Sequence, residues 1–238
     1  MDDLDPLALT RTPTPARPLL GLTVLVVEDS RFACEAMRLL CLRSGARIRR
    51  ADSLTSARRH LQVYRPSVVI VDLGLPDGAG EDLIEEMASM PGRTCVILGI
   101  SGDESGSTRA MSAGADGFLA KPVKSLAVFQ EAVLAHIPAE HHPRGPRVIS
   151  EDVISPDPIA FQDDIAHAAE VLSGADGEYV VDYVSQFLAG LARTAEDAPL
   201  ANAVAQLEEK RQAGQRSGQD VELFASFLKS RLDRKIAI

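Results

Sequence analysis

Three short runs of consecutive apolar, mostly β-branched residues dominate the first half of the chain: Leu-Thr-Val-Leu-Val-Val at 22–27, Val-Val-Ile-Val at 68–71 and Cys-Val-Ile-Leu at 95–98. A strand apolar on successive residues is buried on both faces, which demands parallel neighbours and helices on both sides of the sheet. Two further runs, 47–51 and 117–120, bring the strand count to five. Between and after them, residues 30–44, 53–64, 80–90, 104–113 and 125–137 place apolar side chains at helical spacing. The stripe Ala33, Met37, Leu40, Cys41 is one example, with Gly45 as its stop. Strand and helix therefore alternate five times.

Five βα units within about 120 residues have the size of a flavodoxin-like (βα)5 doubly wound parallel sheet, an α/β fold. The rest of the 238 residues divides at its prolines. Pro6, Pro13, Pro15 and Pro18 mark residues 1–20 as a flexible amino-terminal arm. Pro138, Pro143, Pro146 and Pro156 mark 139–157 as a semi-extended linker, because proline fixes φ and biases its predecessor away from helix. The α/β domain then occupies 21–138. Residues 158–238 carry four helix-like stripes and form a small all-α module.

Charge follows the same division. The net charge is −9, yet residues 150–200 hold eleven carboxylates against one cation, Arg193. Aromatic residues are 4% and Trp is absent, which argues against stacking platforms for single-stranded nucleic acid. Cys34, Cys41 and Cys95 have no metal-site or disulfide-framework spacing and read as buried small hydrophobes. The first residues lack a basic segment leading into an apolar one, and no apolar run approaches the ~18 residues that span a bilayer. A cytoplasmic protein without membrane contact is expected.

In doubly wound sheets the active crevice lies beyond the carboxyl ends of the strands. The strand ends here carry Glu28-Asp29, Asp72, Ser101 and Lys121-Pro122. Three clustered carboxylates repel one another unless a cation joins them, and an all-oxygen set suits Mg2+. A hydroxyl and an ammonium beside the metal make a phosphoryl-transfer constellation, in which positioning and charge neutralisation carry the chemistry.

With Val-Val-Glu28-Asp29-Ser, Val-Asp72-Leu-Gly-Leu-Pro76, Ile-Ser101-Gly and Gly-Phe118-Leu-Ala-Lys121-Pro122 in this order, residues 22–138 resemble the receiver domain of two-component response regulators. The resemblance implies that Asp72 is the phosphoacceptor, taking its phosphoryl group from a phosphohistidine on a sensor histidine kinase or a His-phosphotransfer protein. It implies Mg2+ held by Asp29, Asp72 and the backbone carbonyl of Gly74, with Glu28 acting through water. Ser101 would bond the phosphoryl oxygen and Lys121 would pair with it. Ser101 and Phe118 would be the switch pair, and the bond before Pro122 would be cis. Glu28 replaces the commoner Asp and Ser101 the frequent Thr, and both keep the needed oxygen. The only chemistry implied is self-phosphorylation and self-dephosphorylation, so the protein is not expected to turn over a separate substrate.

The carboxy-terminal module carries no cyclase, phosphodiesterase or nucleoside-phosphate signature. DNA binding is the commonest receiver output, but the first two helices are intensely acidic. Acidic residues also offset Lys210, Arg211, Lys229 and Arg231 in the last two. A His-phosphotransfer role for His167 lacks the surrounding pattern of that class. A protein-interaction or homodimerisation module, switched by phosphorylation, is the reading the charge split favours, with a phosphorylation-controlled DNA-binding regulator as the alternative.

Overall fold

The computed structural model describes residues 12–146, 152–174, 177–214 and 218–236, the side chains of 233–236 excepted. The amino-terminal half runs β1 (Thr23–Val27), α1 (Arg31–Ser44), β2 (Arg47–Ala51), α2 (Leu54–Val63), β3 (Val68–Asp72), a small hairpin β4 (Gly74–Leu75) and β5 (Gly78–Ala79), α3 (Gly80–Ala88), β6 (Val96–Ser101), α4 (Gly106–Ser112), β7 (Gly117–Ala120) and α5 (Leu126–Leu134). The five main strands form one parallel sheet in the order β2-β1-β3-β6-β7. This is the expected doubly wound, flavodoxin-like arrangement, and the order reverses beside β1 and β3.

The apolar runs alternate between two cores. Val24, Val26, Ile70 and Leu98 face one side with Leu40 of α1 and Phe129 of α5. Leu25, Val27, Val69, Val71 and Ile97 face the other with Leu54, Leu83 and Ile84. Both faces are covered, which is why each strand reads as a continuous apolar run. Helix α1 starts at Ser30, whose side chain accepts from the Ala33 amide, and stops at Gly45, where φ is +87°.

Strand β6 extends beyond the apolar run to Ser101. Gly99 sits inside it because a Cβ there would lie 2.4 Å from the Ala110 Cβ of α4. A glycine forced by close packing hides the end of a strand from a propensity reading. The hairpin β4–β5 was not foreseen, since two-residue strands carry no periodicity.

The flanking segments are tied down more than their prolines suggested. Residues 1–11 of the expected arm and 147–151 of the expected linker lie outside the described residues. The end of the arm is docked, not loose: Pro18 and Leu19 are buried, and the Leu19 amide donates to the Ser44 carbonyl at 2.9 Å. At the far side of the linker Ile154 is buried in the core of the α/β domain. The Ile154 amide donates to Lys124 O at 2.8 Å, and the Leu126 amide to Asp152 O at 3.1 Å. Proline stiffens a segment and removes one donor, but it leaves neighbouring groups free to pair.

The carboxy-terminal half forms four helices, α6 (Pro158–Ser173), α7 (Glu178–Ala195), α8 (Ala198–Gln212) and α9 (Gly218–Ile236). Ile165 and Leu172 of α6, Val184, Leu188 and Leu191 of α7, Leu200 and Val204 of α8, and Phe224 and Leu228 of α9 share one core. Phe32 of α1 joins that core, edge-on to Phe161 at 5.6 Å. The bundle thus completes its interior with a side chain of the α/β domain. Among the described residues no helix is long and apolar enough to cross a membrane.

Leu188 is fully buried at the bundle centre. Leu188→Ala is expected to cost about 2–5 kcal/mol in urea unfolding followed by circular dichroism. A loss below about 1 kcal/mol would mean that this core is not packed as described.

Candidate functional site

The parallel sheet delivers its polar residues to one edge. Asp72 is the last residue of β3 and Ser101 the last of β6. Glu28 and Asp29 follow β1, and Lys121 follows β7 across a cis Lys121–Pro122 bond. Gly80 keeps the edge tight, since a Cβ there would lie 2.0 Å from the Asp72 carbonyl oxygen.

One oxygen from each of Glu28, Asp29 and Asp72 lies within 4.8 Å of the others. Lys121 Nζ bridges two of these acids, 2.7 Å from Glu28 Oε2 and 2.9 Å from Asp72 Oδ2. Ser101 is buried, and its Oγ accepts from the Asp103 amide at 3.1 Å. Gly74 lines the same pocket. Phe118 is half-buried beside Gly106, just behind Ser101. The side chains expected at the site from sequence therefore meet at one place.

The electrostatics follow from crowding charge out of water. Burial pushes the Glu28 carboxyl well up, and the nearby Asp72 charge adds to this while Lys121 opposes it. Burial also raises Asp29 to about 6, although the hydrogen bond from Tyr183 pulls the other way. Burial would lower the Lys121 ammonium, but Asp72 and Glu28 outweigh it and hold the charge firmly. Among the described residues one cation, Lys121, pairs with the cluster, and it contacts two of the three carboxyl groups. The residual acid and the all-oxygen donor set fit a hard divalent ion such as Mg2+. Cys34, nearby in α1, is pushed up to about 12 chiefly by burial, which suits an inert packing residue and not a redox centre.

The helical module supplies a set of site residues that sequence reasoning missed. Tyr183 of α7 donates a short hydrogen bond to Asp29 Oδ2. The side-chain amide of Gln186 stands against Gly74, where a Cβ would lie 2.8 Å from Gln186 Nε2. Arg193 lies against Gly102 and reaches Asp103 Oδ1 at 3.5 Å. Asp164 of α6, 2% exposed, accepts from Ser30 Oγ at 2.7 Å, the Arg31 amide at 2.9 Å and the Phe32 amide at 3.0 Å. It therefore satisfies the orphan donors of the first turn of α1. Tyr183 falls in the apolar stripe of its helix with Val180, Val184 and Phe187, and from the sequence alone that position reads as packing. An acid beside Ile165 in the apolar stripe of α6 was the one available signal for Asp164.

The profile of the response regulator receiver domain matches residues 24–133. Residues 24–133 form a response regulator receiver domain. Over 99 residues the chain is 32% identical to the KDP operon transcriptional regulatory protein KdpE of Escherichia coli, covering 42% of this chain and 44% of that protein. Over 101 residues it is 34% identical to the virulence transcriptional regulatory protein PhoP of Shigella flexneri, covering 42% and 45%. The chain thus spans less than half the length of these curated relatives. Among solved structures it is similar to a putative response regulator from Chloroflexus aurantiacus, at 30% identity and a TM-score of 0.45, covering 48% of this chain and 98% of that one.

The raised Asp29 carboxyl in this receiver domain has a stability consequence. Because its folded-state value lies above the ordinary 3.8, the folded state holds the extra proton between about pH 4 and pH 6, and stability falls as pH rises through that window. In urea titrations with EDTA present, Asp29→Asn is expected to gain on the parent by up to about 3 kcal/mol between pH 4 and pH 6.5. A difference that stays flat over this range would contradict the assignment.

Proposed function

We propose that the protein is a response regulator in which Asp72 accepts a phosphoryl group from a phosphohistidine and thereby switches the helical module. The observation that carries this reading is Lys121 held between Glu28 and Asp72 at the rim of a buried acidic cluster. An Asp72 carboxylate oxygen attacks phosphorus, the N–P bond of the donor breaks, and the imidazole keeps the electron pair and takes a proton. Lys121 is within reach of the incoming phosphoryl oxygens. Ser101 accepts the Asp103 amide and so has its own proton left to donate to them. Mg2+, when bound by Asp29, Asp72 and the Gly74 carbonyl with Glu28 acting through water, would neutralise the charge gathered on the transferring group. The chemistry is a modification of the protein itself, followed by hydrolysis of the acyl phosphate, and not turnover of a separate substrate. A cytoplasmic sensor histidine kinase or His-phosphotransfer protein is the donor this chemistry needs.

The bundle is read as a protein-interaction output. KdpE and PhoP are transcriptional regulators by name, but the receiver profile ends at residue 133. Three basic residues of the last two helices are already engaged: Lys210 with Asp220 at 2.5 Å, Arg211 with Asp182 at 2.5 Å, and Arg231 with Asp197. Cations committed to carboxylates make a poor phosphate-binding face.

Treatment with acetyl phosphate and Mg2+ is expected to place one acid-stable, base-labile phosphoryl group on the chain. Asp72→Asn should abolish the label, and Lys121→Ala should cut its formation at least tenfold. Undiminished label in Asp72→Asn, read by mass spectrometry of the intact protein, would sink the assignment.

A further inference from the structure

The helical module covers the phosphoacceptor pocket. Along α7, Gln186, Gly190 and Arg193 close the space above Asp72, Ser101 and Lys121, and Tyr183, one turn earlier, lines the adjoining cleft at Asp29. The cavity left between them is about 40 Å3, room for a few waters. A phosphohistidine carried on a second protein needs the volume that α7 fills.

The contacts that hold this cover are mostly polar. Arg31 pairs with Asp163 at 2.9 Å, Lys124 with Glu196 at 2.7 Å, and Arg193 with Asp103 at 3.5 Å. Asp164 is fixed to the first turn of α1, and Phe32 is the main apolar anchor. Interfaces of this polar kind within one chain are the ones that open. The Tyr183 hydroxyl takes an oxygen of Asp29, one of the three carboxylates that converge at the site. A cation seated there needs the same lone pairs.

We propose that α7 is an internal plug of the phosphoacceptor pocket, with Tyr183 competing for the cation seat at Asp29, so that the bundle and the phosphodonor exclude one another. The proposal deepens the reading that Asp72 accepts the phosphoryl group and rests on it. It makes the switch reciprocal. While the plug is seated, the α6–α7 face is withheld from any output partner and Asp72 is withheld from donors. Filling the pocket with metal and phosphoryl group displaces the plug and frees both surfaces. Only a difference in affinity between the open and closed states is required.

The test uses the full chain and two conservative variants. Isothermal titration with Mg2+ alone is expected to show Tyr183→Phe binding at least fivefold tighter than the parent; equal affinity overturns the role of Tyr183. Labelling by acetyl phosphate is expected to be at least fivefold faster in Tyr183→Phe combined with Asp164→Asn; an unchanged or slower rate overturns the plug. Hydrogen exchange keeps a purely structural effect apart from this one. On adding Mg2+ and beryllofluoride, the amides of Arg31 and Phe32 and those of 183–193 should lose protection together, and retained protection overturns the proposal. Asp72→Asn in the same background separates the two ideas: persisting label there defeats the phosphoacceptor reading, whereas the Mg2+ titration judges the competition at Asp29 independently of it.

Discussion

The rest of the molecule is arranged around one electrostatic problem, the three carboxyl groups of Glu28, Asp29 and Asp72 gathered at the ends of adjacent strands. Removing them from water is costly, and one ammonium, Lys121, is the only cation in direct ion-pair contact with the cluster among the described residues. Burial raises Glu28 and Asp29 in consequence. The cluster is held together because Glu28 and Asp29 follow β1, Asp72 ends β3 and Lys121 follows β7, and the parallel ladder fixes the spacing of those strands. Such a site is crowded with carboxylate oxygens and suited to a hard cation.

The helical module answers the same problem in another way. A tyrosine hydroxyl meets Asp29, an amide stands against Gly74, and a guanidinium sits over Gly102. Asp164 caps the helix that follows the acidic pair, and Phe32 from that helix enters the bundle core. The two halves therefore share interior and polar contacts at the place where chemistry is expected. Gly74 has no side chain, and Gln186 stands over it from across the interface.

Much of the receiver was legible in the sequence because its signals are local. Consecutive β-branched residues at 68–71 report a strand buried on both faces, and Ser30 and Gly45 punctuate a helix. The acids and Lys121 follow those strands immediately, so finding the strands located the site. The apolar run at 95–98 stops short of the strand end at Ser101 because Gly99 is there for packing against Ala110, a constraint that exists only between elements. The docked end of the arm and the strapped linker were missed for a related reason. Leu19 and Ile154 are single apolar residues in proline-rich segments, and one residue has no period.

By itself, then, the sequence determined the parallel sheet, the four helices that follow it, the acidic constellation at Glu28, Asp29, Asp72, Ser101 and Lys121, and the concentration of negative charge after residue 150. Hydrophobic periodicity and strand-end chemistry are written within windows of a few residues, so they can be read without the fold. Only the tertiary structure decided that the acidic module lies over the pocket. Tyr183 reaches Asp29 across 154 positions, and Asp164 reaches Ser30 across 134. Contacts at such separations depend on how two folded units pack, and no local pattern records them. The side chains that make them, a tyrosine in an apolar stripe and one acid among many, look like ordinary members of their helices until the partner surface is in view.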